Sequence, residues 1–390
     1  MAGKATGRRA CIIGIGETEF SRKTEQPSFA LMAEAIGQAL QDAGVSHKEV
    51  EGFAVTSMRI PDDSPFVAEN LGFQLSWVLN GDYGGASGPL SVVRASQAIQ
   101  AGYIDLAVCV AGGNRFSELD HDVNRPIMDY SRRNFVDPYG YAGATSFFGL
   151  IQQLHMQRYG TNLEQLGKIA VTFRKHAAMN PNALLGKKDL TLDEYMNARM
   201  IADPIRLFDC VMPCSGAVAM VVAAEEVAER LGKQPVYVGP AAECINYQVR
   251  EDLPDKLTTG FKVIGEKIFK QVDRESIDFL ELYDDYPIAI VITLEDLGYC
   301  EKGKGGEFVA NTDLSVGGDL PINTSGGQLS CGQPGLAGGH MLVVEAVRQL
   351  RGEAGERQVA NARRGLCTGI GWLAYCRNVG CTAALVLEKE

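Results

Sequence analysis

Residues 81–93 read GDYGGASGPLSVV, a glycine-rich turn running into a helical stretch. Glycine lets backbone approach a ligand closely, and the N–H groups at a helix start form a weak anion-binding set. The apex, Gly84-Gly85-Ala86-Ser87-Gly88, carries no thiol, imidazole or carboxylate, so any chemistry there belongs to the main chain. A plain loop has the same composition, and the turn alone does not decide. A phosphate-cradling GxxxxGK[ST] run is absent, and GIGETEF lacks the full dinucleotide glycine spacing. Cys210 and Cys214 have no second pair at zinc-finger spacing, so no structural metal is expected.

The 390 residues suffice for two ordinary domains or one large α/β unit, and 46% hydrophobic with 22% charged content is globular. A formal charge of −11 argues against a nucleic-acid or anionic-membrane surface, while leaving room for a local basic pocket. The start, MAGKATGRRACIIGIG, reads as a buried first strand, because its apolar run is short and polar GETEF follows. No apolar run approaches transmembrane length. The ten cysteines fall mostly in apolar segments, which predicts inert buried thiols and a reduced, cytoplasmic compartment.

Three segment pairs recur in the same order. Residues 29–55 answer 260–283, each helix then strand; 89–113 answer 340–371, again helix then strand; and strand 216–226 answers strand 380–390. The helices carry apolar residues at three- and four-residue spacing, as at Leu31, Ala35, Ile36 and Leu40. The strands are nearly continuous apolar runs, as covered strands are. Two α/β halves follow, 1–230 and 231–390, the first with an insertion at about 114–205 that reads as a substrate-covering subdomain.

This layout, with NTSGGQLSCGQPGLAGG (323–339) and GLCTGIG (365–371), resembles the thiolase superfamily, most closely its sterol-carrier, lipid-transfer branch. The resemblance spans essentially the whole chain. It implies a duplicated five-layered α-β-α-β-α fold with mixed five-stranded sheets. Family thiolases carry a nucleophilic Cys where Gly85 stands, an Asn or His where Tyr283 stands, a His where Gln333 stands, and a Cys that Cys367 retains. Without the first thiol no acyl-enzyme can form there. The backbone N–H groups of Gly85 and Gly369 remain as an implied oxyanion hole.

A thioester oxygen held by two N–H donors favours enolate character at the next carbon. Adding one base for a β-hydroxyl proton suffices for retro-aldol cleavage to a shorter acyl-CoA and an aldehyde or ketone. Side-chain aldolases of this branch also lack the Cys and carry Tyr at the position of Tyr283; Gln333 departs from their second Tyr. The implied catalytic set is Tyr283, Cys367, Gln333 and Tyr247, with Asn323, Ser325, Gly326 and Cys331 at the substrate.

Each residue has a plainer alternative. Tyr283 could be an interior aromatic with a tied hydroxyl, and Cys367 a buried thiol, since a base there needs a lowered pKa. Tyr247 could be a loop aromatic, Asn323 an Asx-turn residue, and His340 a structural residue. Asp284 and Asp285 either cap the neighbouring loop or act as base. Coenzyme A enters only as part of the substrate, held by local cations at a channel mouth; Arg132, Arg133, Arg174, Lys175, Lys187 and Lys188 lie in the insertion, but most such residues are solvated surface and none is assigned that role.

Two other functions stay open: a thiolase or acyltransferase using Cys367 or Cys331, and a non-catalytic acyl-CoA or lipid-binding protein. The resemblance implies a homodimer paired at sheet edges, with LAVCVAGG beside an open edge. It also implies a small zinc-ribbon and OB-fold partner of the DUF35 type. The aromatic stretch 128–150 would meet that partner or pack on the chain's own core.

Overall fold

The computed structural model describes residues 7–56, 64–115, 133–141, 143–252, 255–372 and 378–390. Cys376, Arg132 and residues 128–132 of the aromatic stretch lie outside them.

The first apolar run forms β1 (Ala10–Glu17), and the helical spacing after it forms α1 (Ser28–Ala43), closed by Gly44 at φ 72°. Leu31, Met32, Ala35, Ile36, Ala39 and Leu40 turn inward. The glycines of CIIGIG let this helix lie directly on the strand. A Cβ at Gly14 would stand 2.3 Å from the Ala39 carbonyl oxygen, and one at Gly16 2.1 Å from that of Ala35.

Strands β2 (Gly52–Thr56), β3 (Trp77–Asn80), β4 (Leu106–Gly113) and β5 (Gly216–Ala224) complete the first half. The second half supplies β6 (Val236–Ile245), β7 (Phe279–Glu281), β8 (Arg364–Gly371) and β9 (Cys381–Glu388). One mixed sheet runs β7-β8-β9-β6-β1-β5-β4-β2-β3. Its halves repeat the same pairing rules. In the first, β2 is parallel to β3 and β4, β4 antiparallel to β5, and β5 antiparallel to β1. In the second, β7 is parallel to β8, β8 antiparallel to β9, and β9 antiparallel to β6.

Where β3 stands in the first half, the second has a single parallel bridge, Leu280 with Ile322. Within this sheet the halves join at Cys11–Tyr237 and Ile12–Val236, and a separate two-stranded pairing sets Gln333 and Pro334 against Pro213 and Cys214. Among the described residues the second half thus gives this sheet four strands and a bridge, because the segment reaching Ile322 turns at once into the Asn323 loop. β4 is fully buried and separated from the open edge by β2 and β3, so LAVCVAGG is an interior strand.

Helix α2 (Ser87–Gln100) and its counterpart, here α8 (Gly338–Arg351), pack on each other between strands of both halves, while α1 covers β1, β5 and β4 from outside. Between α2 and α8 in sequence lie α3 (Gly143–Tyr159), α4 (Leu163–Ala178), α5 (Phe261–Ile268), α6 (Pro287–Asp296) and α7 (Gly327–Ser330). Helix α5 covers β6 and β9, giving the α-β-α-β-α layering. The inserted α3 and α4 reach across to the second half, α3 onto α6 and α4 onto α6 and α7. The aromatics of the insertion divide: Phe147 and Phe148 are buried, whereas Phe135 is 60% and Tyr139 86% exposed.

Candidate active site

Strand β7 ends by delivering Tyr283 to the junction of the halves. Asn323, at φ 51°, holds that strand end from the side: its Oδ1 accepts from the Leu282 N–H at 2.6 Å, and its Nδ2 donates to the Leu282 carbonyl at 2.8 Å. One residue on, the Tyr283 N–H donates to Thr368 Oγ1 of β8 at 2.8 Å. With its backbone pinned from both sides, the ring is directed over the glycine turn. A Cβ at Gly85 would lie 1.9 Å from Tyr283 Cε2 and 2.0 Å from Cζ. The tyrosine therefore occupies the volume that a side chain at 85 would fill.

The turn is closed by further glycines. A Cβ at Gly369 would stand 2.6 Å from the Gly85 carbonyl oxygen, and one at Gly339 2.0 Å from the same atom. A Cβ at Gly88 would meet the Gly339 carbonyl carbon at 2.2 Å. The starts of α2 and α8 thus meet backbone to backbone, with β8 beside them and Gly369 against the main chain of Gly85 and Ala86.

Asp285 and Gln333 are the side chains that act on the Tyr283 hydroxyl. Gln333 is itself anchored: its N–H donates to the Met212 carbonyl at 2.8 Å, and its Nε2 donates to Asp285 Oδ1 at 2.9 Å and to Gln328 Oε1 at 3.1 Å. The two adjacent aspartates separate in role. Buried Asp284 caps α7, accepting from the N–H groups of Gln328 at 2.9 Å and Leu329 at 3.1 Å. Half-buried Asp285 faces Tyr283 and Gln333.

Burial raises the Tyr283 phenol well above its ordinary value, with the Asp285 charge adding to it. Burial also pushes Asp285 up to about 7, while its bonds to Tyr283 and Gln333 and the charge of Arg115 restrain it. Asp284 is pushed up to about 8 by burial, against its two N–H donors.

The other sequence candidates fall elsewhere. Cys367 is fully buried, its thiol toward the Leu342 carbonyl at 3.9 Å, and burial raises it well above the ordinary thiol value. Cys331 is buried against Asn180 Nδ2 at 3.4 Å and is raised in the same way. Tyr247 is half-buried, and the carboxylates acting on it are Asp296 and Asp255, not those around Tyr283. Ser325 is buried, its carbonyl accepting from Asn180 at 3.0 Å, and Gly326 sits at φ 98° against Ala177.

His340 is buried against Ser91 at 3.3 Å, and burial lowers it to about 3. Arg174 is also buried, donating to Ser330 Oγ at 3.0 Å and the Lys188 carbonyl at 3.1 Å, so it braces α7.

Sequence reasoning did not single out Thr368, Gln328 or Arg115. Gln328 is fully buried beside Gln333, and its Nε2 has no hydrogen-bond partner among the described residues. Adjacency to Cys367 and to the motif glycines was the available signal for the first two. Two grooves, of about 400 Å³ beside Lys262, Arg274 and Lys302 and about 440 Å³ beside Trp77, Arg94 and Tyr103, include none of the residues around Tyr283.

Residues 242–380 match the thiolase C-terminal domain-like family. The chain is 33% identical over 364 residues to the 17-hydroxy-3-oxo-4-pregnene-20-carboxyl-CoA lyase of Mycobacterium tuberculosis, covering 88% of this chain and 92% of that one. It is 30% identical over 359 residues to the steroid side-chain-cleaving aldolase of Thermomonospora curvata, covering 88% and 90%. A solved structure, that of the Ltp2-ChsH2(DUF35) aldolase, superposes with a TM-score of 0.87 at 28% identity, over 98% of each chain.

Proposed function

Because this chain belongs to the thiolase superfamily, in the branch of the steroid side-chain-cleaving aldolases, we propose that it is a carbon–carbon lyase acting on a β-hydroxyacyl-CoA. The products are a shorter acyl-CoA and an aldehyde or ketone. The observation that carries this reading is the Tyr283 ring lying in the side-chain space of Gly85. A nucleophile at 85 and this tyrosine exclude each other, so the site has exchanged covalent chemistry for a positioned acid–base group.

In the reaction the thioester oxygen accepts hydrogen bonds from the N–H groups of Gly85 and Gly369. Tyr283 takes the proton of the β-hydroxyl. The electron pair of the Cα–Cβ bond moves to Cα, and the enolate formed is held at the same oxygen. One relative is named for a 17-hydroxy, 20-carboxyl-CoA steroid, a thioester with its hydroxyl on the β-carbon. A steroid-like acyl group is therefore the first substrate to try. Burial of both Cys331 and Cys367 disfavours a displaced thiol nucleophile.

We further read the exposed β3 edge as the place where a second copy pairs, and exposed Phe135 and Tyr139 as part of the surface for a DUF35-type partner. The DUF35 component that the superposed aldolase carries in its name supports the second reading. Assay of a β-hydroxyacyl-CoA panel, with and without such a partner, tests the function. Appearance of a carbonyl product supports it, and acyl-CoA binding without turnover in either case contradicts it.

A further inference from the structure

We propose that Asp285 is the proton acceptor behind Tyr283: as the substrate hydroxyl gives its proton to the tyrosine oxygen, the tyrosine gives its own to the Asp285 carboxylate. This deepens the retro-aldol reading and rests on it. A neutral phenol can take a proton only by passing one on, and burial keeps Tyr283 neutral. Among the described residues, the hydrogen-bonding side chains that act on its hydroxyl are Asp285 and Gln333, and these two are joined to each other at 2.9 Å. A carboxamide donates N–H but has no use as a proton acceptor at neutral pH, which leaves the carboxylate.

The geometry around Asp285 fits that task. Gln333 Nε2 holds Asp285 Oδ1 at 2.9 Å, and is held in turn by Gln328 at 3.1 Å and through its own backbone by Met212 at 2.8 Å. The neighbouring carboxylate of Asp284 is occupied by the N–H groups of Gln328 and Leu329. The charged and titratable groups facing Asp285 are Tyr283, Asp284, Tyr286 and Arg115, and of these Tyr283 and Arg115 favour its ionised form. Asp285 titrates at about 7, close to the operating pH that suits proton exchange.

The step balances without an oxidant or a metal. The O–H electron pair becomes the second bond of the new carbonyl, and the Cα–Cβ pair becomes the enolate. The proton held on Asp285 returns through Tyr283 to Cα. The hydroxyl hydrogen of the substrate ends on the α-carbon of the shorter acyl-CoA.

The test is the pH profile of kcat. Asp285 must be ionised to accept, so kcat in the unmodified enzyme should rise with pH through about 7 and then level. Asp285→Asn should lower kcat by about 10²–10⁴ with KM little changed and remove that limb. Asp285→Glu should recover part of the rate. Arg115→Gln, at an exposed position, should move the limb to higher pH because the charge restraining Asp285 is gone. If the unmodified enzyme turns over and Asp285→Asn keeps both its kcat and its limb, Asp285 is not the acceptor. A limb unmoved in Arg115→Gln contradicts the assignment even where Asp285→Asn fails to fold. No turnover by the unmodified enzyme counts against the retro-aldol reading itself.

Discussion

Gly85 and Tyr283 share one volume, and this makes the exchange of nucleophile for tyrosine testable as a pair. Gly85→Ala places a methyl group within 2.0 Å of the ring carbons, so the ring must move off its partners Gln333 and Asp285. Tyr283→Phe keeps the ring and removes the hydroxyl; turnover should fall by about 10²–10⁴ while acyl-CoA affinity holds. Gly85→Ala should fall comparably. The double variant should then be little worse than either single one, because both remove the same positioned hydroxyl. Steady-state kinetics of the three variants check this, and full additivity of the two losses would separate the residues. None of it could be read from the sequence, which showed a vacated position and a tyrosine in the right motif but not that the ring fills the vacancy. Asp285 was likewise visible only as one of two adjacent carboxylates, since capping and proton transfer draw on the same residue type.

At the level of elements, the site depends on how α8 and the Asn323 loop are locked to β7. Arg357 donates to both oxygens of buried Glu345, from Nε at 2.9 Å and from a terminal nitrogen at 3.0 Å. Thr324 Oγ1 lies 2.8 Å from Glu281 Oε1 and 2.9 Å from Glu345 Oε1, joining β7 to α8. Burial and the Glu345 charge raise Glu281 well above the carboxylate range, so it stays protonated beside the ionised, Arg-paired Glu345. Arg357→Leu should therefore cost about 3–5 kcal/mol, since it leaves buried Glu345 with only Arg348, at 3.9 Å, as counter-charge. Denaturant unfolding measures that loss, and a change under about 1 kcal/mol would show the pair to be dispensable. The elements themselves were legible, because apolar runs and three- and four-residue spacing mark covered strands and packed helices directly. The network was not, because Glu281, Thr324, Glu345 and Arg357 read singly as ordinary polar residues.

Over the whole molecule, the repeated order of helices and strands marked a duplicated architecture from sequence alone, and both halves obey the same pairing rules. What periodicity could not supply was the edge. β3 is short and alternates in burial, with Val78 41% exposed, and it ends the sheet on the first-half side. If a second copy pairs there, Val78→Arg should halve the particle mass seen by light scattering; an unchanged mass would place the interface elsewhere. The central claim is that carbon–carbon cleavage proceeds here without a nucleophile, and the stoichiometry of free coenzyme A tests it most directly. The assay supplies a β-hydroxyacyl-CoA, with 17-hydroxy-3-oxo-4-pregnene-20-carboxyl-CoA first, and follows products by mass spectrometry with and without added coenzyme A. The account predicts one carbonyl product and one shorter acyl-CoA per substrate, at a rate indifferent to free coenzyme A and with no acyl group on Cys331 or Cys367. Cleavage that requires free coenzyme A, or an acyl group recovered on either thiol, would contradict it.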